Sequence, residues 1–259
     1  MAEVVIVPDA AAAGELVAAE IAGRIRRKAT TVLGLATGST PLPVYQALVR
    51  HLDGAAVDQV QGFALDEYVG LDPAHPQSYR SVITREVVEP LGLDPRRVHV
   101  PNGSHDGLPT AGDDYDRAIV AAGGVDLQIL GIGGNGHLAF NEPGSSFGST
   151  TRVKMLTAQT RLDNARFFDG LDQVPTHCIT QGLSTILRAD HLVLLAFGAH
   201  KAEIVATAVE GPLTAQVPAS VVQLHKHATV VVDEAAAERL QHAAYYRSAF
   251  EDRLEWETL

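Results

Sequence analysis

Short apolar runs alternate with amphipathic stretches along almost the whole chain, and this alternation limits the fold more than any other feature of the sequence. The apolar runs are typical of buried strands and occupy residues 3–7, 31–36, 60–65, 125–130, 191–197 and 228–233. Most of the stretches between them carry apolar residues at helical spacing. Strands that alternate with helices build a mostly parallel sheet with helices on both faces. The sequence therefore predicts a doubly wound, Rossmann-like α/β fold.

The predicted helices and their connections indicate one α/β domain that spans residues 1–259. Helical patterns occupy residues 11–29, 41–52, 78–91, 111–124 and 199–211, and an alanine-rich stretch at 234–254 follows the last strand. We expect Pro41 in the first turn of its helix and Pro90 at the end of its helix, because proline lacks the N–H of a helix interior. Ligands of such sheets bind beyond the carboxyl ends of the strands, so residues that follow the strands are the candidates for a site.

Composition argues against several classes of function. The 259 residues carry a formal net charge of −11, which disfavours nucleic-acid binding because phosphate neutralisation dominates that affinity. The single cysteine, Cys178, excludes an intrachain disulfide and is expected to be a buried thiol in a reducing compartment. No secretory signal is visible, and no apolar run approaches the ~20 residues of a membrane span. We therefore expect a soluble cytoplasmic protein without a membrane or nucleic-acid partner.

A glycine pattern follows the predicted strand at residues 125–130 and invites comparison with dinucleotide-binding loops. The segment GIGGNG at 131–136 fits the spacing G-x-G-x-x-G. A dinucleotide site needs a helix after the third glycine, but the Pro-Gly pair at 143–144 breaks any helix there. It also needs an acidic residue about 20 residues further on, and residues 151–161 contain none. The pattern therefore indicates a tight turn and not a nicotinamide site.

The same turn brings a histidine and a carboxylate close together in sequence. His137 and Glu142 lie five residues apart, and a carboxylate that orients an imidazole fixes its tautomer and raises its basicity. This pair is a candidate for acid–base catalysis. Taken alone, the segment also fits a surface turn in which His137 faces solvent and Glu142 has no catalytic role.

The loop after the second predicted strand has the composition of an anion site. It consists of Thr37, Gly38, Ser39 and Thr40. The hydroxyl groups, the open backbone at glycine and the positive end of the following helix together favour a phosphate group. No lysine follows in the spacing of a nucleotide-triphosphate loop, and an ordinary strand-to-helix turn with a threonine cap stays open. Lys201 and Arg166 are candidate cations for the phosphate, although each is also typical of a solvated surface charge.

Two acidic residues end the third predicted strand. Asp66 and Glu67 stand at its carboxyl end with no basic neighbour in sequence. A carboxylate placed in a cleft is suited to act as a general base, and partial burial would raise its pKa into a useful range. A solvated acidic turn is the alternative.

Three segments, in this order, resemble the glucosamine-6-phosphate deaminase family. They are LGLATGSTP, LDEYVGL with HPQSY after it, and GIGGNGHLAFNEPGSSF. The similarity runs from about residue 4 to about residue 250 and includes TRLDNARFF, QVP and GAHKA. The superfamily also contains 6-phosphogluconolactonases, but the DEYVGL segment resembles the deaminase branch. The resemblance implies the deaminase/isomerase type of the α/β fold.

The resemblance also implies a reaction without metal or cofactor, in which glucosamine 6-phosphate and water give fructose 6-phosphate and ammonia. His137 would open the pyranose ring with support from Glu142, and Asp66 would carry a proton from C2 to C1. The phosphate would bind the loop at 37–40, with Arg166 and Lys201 as its cations. A 6-phosphogluconolactonase is the alternative enzyme, which would use the same loop and His137 but needs no enolising base.

Asn135 takes a position where some family members carry aspartate and others asparagine. Asparagine cannot transfer a proton, but it can hydrogen-bond the sugar or hold the loop. The resemblance therefore places Asn135 in the catalytic group with a weaker part in ring opening than aspartate would have, and more of that step falls on His137 and Glu142.

The resemblance implies a candidate allosteric site as well. Some hexameric relatives are activated by N-acetylglucosamine 6-phosphate at subunit interfaces, through positions that match Ser145, Ser146, Arg152, Lys154 and a tyrosine near the carboxyl terminus, Tyr245 or Tyr246. A solvated basic patch is the other interpretation of this segment. Monomeric, unregulated relatives share parts of it, so a hexamer and a monomer both stay open. A non-catalytic sugar-phosphate sensor is not favoured, since such sensors carry an attached DNA-binding domain and the similarity here begins near residue 4.

Overall fold

The computed structural model of the protein describes residues 2–254 and 259. The strands are β1 (Glu3–Val7), β2 (Val32–Leu35), β3 (Gln61–Ala64), β4 (Asp66–Tyr68), β5 (Val98–His99), β6 (Leu127–Gly131), β7 (Arg152–Met155), β8 (His177–Thr180), β9 (Leu192–Ala196) and β10 (Ala228–Asp233). The helices are α1 (Ala10–Arg27), α2 (Leu42–His51), α3 (Tyr79–Ile83), α4 (Glu89–Leu91), α5 (Leu108–Ala121), α6 (Ala158–Asn164), α7 (Leu183–Ile186), α8 (Ala202–Val209) and α9 (Ala243–Glu251).

Seven strands form one parallel sheet in the order β1-β10-β9-β6-β2-β3-β5, flanked by helices. This confirms the predicted fold class. The apolar runs could be recognised because strands of a parallel sheet are buried on both faces and carry apolar residues continuously. In β9, for example, every residue is at most 1% exposed. The assignment of the chain to a single domain stays a prediction.

A second sheet was not predicted from the sequence. β4, β8 and β7 form a small antiparallel sheet, in which Asp66 pairs with Thr180 and Lys154 pairs with Cys178. These strands have three or four residues and mix polar with apolar side chains, so they lack the continuous apolar pattern. The second sheet matters for the site because it begins with Asp66.

Two helical stretches differ from their predictions. The helix predicted at 78–91 contains a π-helical turn at Thr84–Val88, between α3 and α4, and Pro90 lies within its last turn. The residue that ends it is Gly92, whose φ of 66° is the left-handed conformation common after helix ends. The alanine-rich stretch after β10 becomes regular α-helix only at α9.

None of the helices within residues 2–254 and 259 combines the length and the apolar character needed to cross a lipid bilayer. Cys178 is fully buried and unpaired among the described residues, as predicted for a structural thiol. Burial raises the pKa of this thiol, which keeps it protonated and unreactive.

Histidines lie together where β9 and β10 begin, at the edge of the sheet opposite the carboxyl ends. His191 is fully buried, its ring stacks on His227 with centroids 3.7 Å apart, and its Nε2 lies 2.9 Å from Oγ1 of Thr229. Burial, aided by the charge of His227, lowers the pKa of His191 from 6.5 to about 3. His191 is therefore neutral in the folded protein at all but strongly acidic pH.

We expect the free energy of unfolding to decrease as the pH falls from 6.5 towards 3. In that window the unfolded chain binds a proton at His191 and the folded chain does not, which contributes a slope of up to ~1.4 kcal/mol per pH unit. Urea unfolding of the wild type and of His191→Gln at a series of pH values measures this contribution. The variant should lose it, and a control with the exposed His242→Gln should keep it. Equal slopes in all three proteins would contradict the assignment.

Candidate active site

A cleft of about 770 Å³ opens beyond the carboxyl ends of β2, β3, β6 and β9. It brings together sequence-predicted residues that are far apart along the chain, namely Thr37, Gly38, Ser39, Thr40, Asp66, His137, Arg166 and Lys201. Asn135 and Glu142 contact each other next to His137. The cleft lies where ligands bind to sheets of this kind. The predicted catalytic and phosphate-binding residues therefore lie in one region of the structure, and their roles stay a prediction.

The loop after β2 offers backbone groups to a ligand. Gly38 has a φ of 90°, and a Cβ atom there would meet no other atom within 4 Å, so its backbone is open towards the cleft. α2 begins at Leu42, one residue later than predicted, because Pro41 is its N-cap residue. In the described structure no side chain caps this helix end. The positive end of the helix dipole therefore stays available to an anion.

Hydrogen bonds fix both the loop that follows β9 and the side chain of Lys201. The backbone N–H of Gly198 donates to the carboxylate of Asp233 at 2.9 Å, and the Nζ of Lys201 donates to the carbonyl oxygen of Ile132 at 2.7 Å. Burial lowers the pKa of Lys201, against the opposing effect of the Asp163 carboxylate. An anion bound beside this partly desolvated ammonium group would stabilise its charged form.

Arg166 reaches the cleft from the segment after α6. Its guanidinium lies over the ring of Phe167, 4.7 Å from the ring centroid. The arginine itself is exposed. It therefore supplies a second cation, and Arg166 and Lys201 line the same cleft.

The structure assigns different roles to the two acidic residues that follow β3. Asp66 lines the cleft and is only 6% exposed. Burial raises the pKa of Asp66 well above its usual range, and the charge of Glu67 raises it further. Glu67 instead accepts hydrogen bonds from the backbone N–H groups of Tyr68, Tyr79 and Arg80, and so holds the start of α3. Asp66 is thus the carboxylate available for proton transfer.

A tight turn presents His137. The backbone N–H of Asn141 donates to the carbonyl oxygen of Leu138 at 2.9 Å, and Ala139 between them has a φ of 51°. A positive φ in a residue other than glycine is strained and often marks a functional site. Gly133 packs directly beneath the imidazole, since a Cβ atom there would lie 2.2 Å from Cε1 of His137. The glycine segment therefore serves to seat the histidine ring.

The expected contact between His137 and Glu142 is longer than a hydrogen bond. Nδ1 of His137 lies 3.7 Å from Oε2 of Glu142, a distance at which the two charges attract without a direct bond. Asn135 is closer, because its Nδ2 donates to the same oxygen at 2.8 Å and its Oδ1 accepts from the N–H of His137 at 3.2 Å. The hydroxyl of Thr160 donates to the other carboxylate oxygen. Asn135 therefore holds the loop, as predicted for asparagine.

Glu142 remains ionised at every ordinary pH. Burial alone would raise its pKa, but the nearby imidazole of His137 and the hydrogen-bond donors Thr160 and Asn135 outweigh that effect and lower the pKa to about 2. Glu142 is thus a permanent negative charge beside the imidazole. Such a charge stabilises the positive charge that develops on His137 when the ring accepts a proton.

Sequence reasoning missed several residues of the cleft. Tyr79 and Phe140 stack with centroids 6.0 Å apart and form an aromatic wall, and Arg85 adds a third cation. Gln77 and Tyr79 belong to the HPQSY segment, which was recognised as a motif without a role. Arg85 lies in the π-helical turn, and nothing in its sequence context distinguishes it from a surface arginine.

The candidate allosteric residues lie in two separate places of the chain. Arg152 and Lys154 are on β7, next to Ser145 and Ser146 in sequence. Tyr245 lies on α9 and lines another cavity, of about 290 Å³, beside β1. The effector site therefore stays a prediction. Among residues 2–254 and 259 there is no group of three or more histidine, cysteine, aspartate or glutamate side chains that could hold a metal ion.

The geometry supports proton transfers on a small phosphorylated molecule. An anion bound to the loop after β2 and to Lys201 would share the cleft with Asp66 and His137. One group is a carboxylate of raised pKa, which suits a general base, and the other is an imidazole beside a fixed negative charge. Two proton-transfer groups on one bound molecule are the minimum that ring opening followed by enolisation requires.

Comparison with known proteins agrees with this chemistry. Residues 9–232 match the family model of glucosamine-6-phosphate isomerases/6-phosphogluconolactonase. The chain is 57% identical over 268 residues to a glucosamine-6-phosphate deaminase of Bifidobacterium longum subsp. infantis, with 99% of each chain covered. It is 57% identical over 258 residues to a glucosamine-6-phosphate deaminase of Streptomyces coelicolor, with 98% of this chain and 99% of the relative covered.

Solved structures show the same relationship. A monomeric glucosamine-6-phosphate deaminase superimposes with a TM-score of 0.87 at 38% identity, covering 92% of this chain and 99% of the other. A 6-phosphogluconolactonase from Trypanosoma brucei has a TM-score of 0.75 at 16% identity, with 93% and 99% covered. The second similarity shows the shared fold alone.

We expect Asp66→Asn to raise the stability of the protein at alkaline pH. A group whose pKa is raised on folding contributes stability below its ordinary pKa, and this stability is lost as the pH rises through the folded-state value. Asparagine has the same shape without the buried charge. Thermal unfolding should therefore show a variant more stable by several degrees at pH 8, with the difference shrinking towards pH 4.

The matched control is Asp58→Asn, at an exposed aspartate whose side chain accepts a hydrogen bond from Nε2 of Gln59. It should unfold like the wild type at both pH values. A melting temperature of Asp66→Asn equal to or below that of the wild type at pH 8 would show that the Asp66 carboxylate is not destabilised by burial.

Proposed function

Because the chain belongs to the family of glucosamine-6-phosphate isomerases and 6-phosphogluconolactonases, we propose that it is a glucosamine-6-phosphate deaminase. It converts glucosamine 6-phosphate and water into fructose 6-phosphate and ammonia, and so acts as a hydrolase that also isomerises an aldose into a ketose. The relatives that cover almost the whole chain at 53–57% identity carry this activity in their names.

One observation carries the proposal. The cleft holds, side by side, an anion-binding loop, the buried carboxylate of Asp66 and the imidazole of His137. A lactonase needs the loop and a base to activate water, but it has no step that removes a proton from carbon. The buried Asp66, with its raised pKa, has a purpose in the deaminase and none in the lactonase.

The substrate binds through its phosphate. The dianion contacts the loop Thr37–Thr40 and the cations Lys201 and Arg166, all of which line the cleft. Binding energy at the phosphate, remote from the reacting carbons, positions the sugar for the chemical steps. An acidic chain thereby holds an anionic substrate through local positive charge.

Proton transfers then complete the reaction. His137 moves a proton from O1 to the ring oxygen, which opens the pyranose, and the fixed charge of Glu142 stabilises the imidazole while it is protonated. Asp66 takes the proton from C2 while O1 gains the proton that the C2 ammonium group gives up, and Asp66 then returns its proton to C1. C1 thereby becomes a hydroxymethyl group and C2 a protonated imine. Water adds to that carbon and ammonia departs, giving the ketone. No step consumes a redox equivalent.

We further propose that the protein acts in the cytoplasm, where its single, buried cysteine suits a reducing environment. N-acetylglucosamine 6-phosphate is a candidate effector, bound by Ser145, Ser146, Arg152 and Lys154 with Tyr245 supplied at a contact between chains. Within one chain Tyr245 lines a different cavity, so this effector site would require a homo-oligomer such as a hexamer.

The direct test is turnover. The purified protein should release ammonia and fructose 6-phosphate from glucosamine 6-phosphate in equal amounts, measured by coupled assays for each product. A parallel assay with 6-phosphogluconolactone should show hydrolysis no faster than buffer. Lactone hydrolysis without ammonia release would contradict the proposed function and show that the protein is a 6-phosphogluconolactonase.

Asp66→Asn tests the assignment of the base. We expect the variant to lose turnover by at least about 10³-fold and to lose exchange of the C2 hydrogen with deuterated water, because Asp66 is the one buried carboxylate among the described residues that line the cleft. Binding of fructose 6-phosphate, measured by calorimetry, should stay within about threefold of the wild type, since the phosphate contacts are intact. Retained C2 exchange would remove Asp66 as the base.

Gly133→Ala tests how the imidazole is seated. A methyl group at this position would overlap the His137 ring, which must then move away from the sugar. We expect kcat to fall by about 10²-fold, because a displacement near 1 Å is sufficient for such a loss. Gly134→Ala is the matched control, since a Cβ atom there meets nothing within 4 Å. Equal kcat values for the two variants would contradict this role of Gly133.

A further inference from the structure

Asp66 and His137 come from different parts of the fold, and yet both must face one sugar. Asp66 begins β4 in the antiparallel sheet, whereas His137 follows β6 of the parallel sheet. Thr180 and Gln181, at the end of β8, form hydrogen bonds with the segment that includes Asp66 and with the turn that presents His137. We call Thr180, Gln181 and Asn141 the bridge.

The bridge holds the segment that leads into Asp66. The backbone N–H of Gln181 donates to the carbonyl oxygen of Leu65 at 2.8 Å, and its side-chain Nε2 donates to the carbonyl oxygen of Ala64 at 3.0 Å. Thr180 pairs with Asp66 itself in the ladder between β8 and β4. Three consecutive residues, 64–66, are thus fixed to the same two residues of the bridge.

The bridge also holds the turn that presents His137. Nδ2 of Asn141 donates to the carbonyl oxygen of Gln181 at 2.8 Å and to that of Leu138 at 3.0 Å. The backbone N–H of Phe140 donates to Oγ1 of Thr180 at 3.2 Å. These bonds fasten both ends of the turn around Ala139, whose φ of 51° needs support from its surroundings.

The bridge is shielded from water and from the ligand. Thr180 and Asn141 are 0% exposed and Gln181 is 1% exposed. None of the three is among the described residues that line the cleft. Their hydrogen bonds therefore act in a low-dielectric interior, where they are strong and rigid, and they do not touch the substrate.

We propose that Asn141 and Gln181 are positioning residues that set the distance between the Asp66 carboxylate and the His137 imidazole. This inference rests on the proposed function, because only a reaction that uses both groups on one substrate depends on that distance. Within the bridge, Asn141 joins the turn to Gln181, and Gln181 joins Asn141 to the segment before Asp66.

The test uses variants that keep the shape of each side chain and remove its amide. They are Gln181→Met and Asn141→Leu. The matched control is Gln128→Met, since Gln128 is also 0% exposed and donates from Nε2 to a backbone carbonyl, that of Ile129 at 2.9 Å, but does not join the two halves of the site. Each variant loses buried hydrogen bonds from a side-chain amide to backbone carbonyls, one in Gln181→Met and in Gln128→Met and two in Asn141→Leu.

We expect kcat of both bridge variants to fall by at least about tenfold while KM stays within about threefold, because the phosphate site is unchanged and only the reacting groups shift. The double variant should lose less than the product of the two single losses, since both act on one distance. Gln128→Met should keep kcat within about twofold of the wild type, even if its melting temperature falls as far as those of the bridge variants. If the control lost as much kcat as the bridge variants, the bridge would have only a structural role.

Crystal structures of the wild type and the bridge variants measure the distance between Asp66 and His137 directly. A change of about 0.5 Å or more is expected, which is the tolerance of a catalytic arrangement. An unchanged distance in both variants would overturn the inference, whatever the activity. Absence of ammonia release by the wild type would instead overturn the proposed function, so the two failures are distinguishable.

Discussion

The site depends on one constraint, which is that the chain passes at Leu65 from the parallel sheet into the antiparallel sheet. The N–H of Leu65 donates to the carbonyl oxygen of Leu35, which is the parallel pattern of β3 with β2, and its carbonyl oxygen accepts from Gln181 in the second sheet. One residue therefore belongs to both hydrogen-bond networks. Asp66 follows immediately, so its position is fixed relative to the loop after β2 on one side and to β8 on the other.

Burial makes Asp66 a stronger base and also lowers the stability of the folded protein. The same desolvation that raises the pKa of Asp66 makes its ionised form a stronger base and makes the folded protein less stable above that pKa. Glu67, one residue later, differs, since burial also raises its pKa but three backbone N–H groups bind its oxygens, oppose that rise and hold the side chain at the start of α3. Neighbouring acids of the same strand thus separate into a reactive group and a structural one.

The sequence predicts the parallel sheet because β6, β9 and β10 are mostly apolar and β9 is so throughout. It predicts the loops because parallel strands place them at one edge. It does not predict the second sheet, since the partner of Asp66 is Thr180, more than a hundred residues away, and neither strand has a pattern of its own. For the same reason the bridge through Gln181 could not be foreseen. Arg85 was missed because a single arginine in a helix has no distinguishing signal.

Asn135 shows how the residue at one position can change which groups of such a site are able to carry a proton. Its Nδ2 donates to Glu142 at 2.8 Å, a bond that an ionised aspartate could not make because it has no hydrogen to give. This donor, together with Thr160, helps to hold Glu142 ionised, with a pKa of about 2. Neither Asn135 nor Glu142 can then carry a proton at neutral pH. In the proposed reaction ring opening then passes through His137, with Glu142 as a fixed charge and Asn135 as a side chain that helps to keep that charge in place.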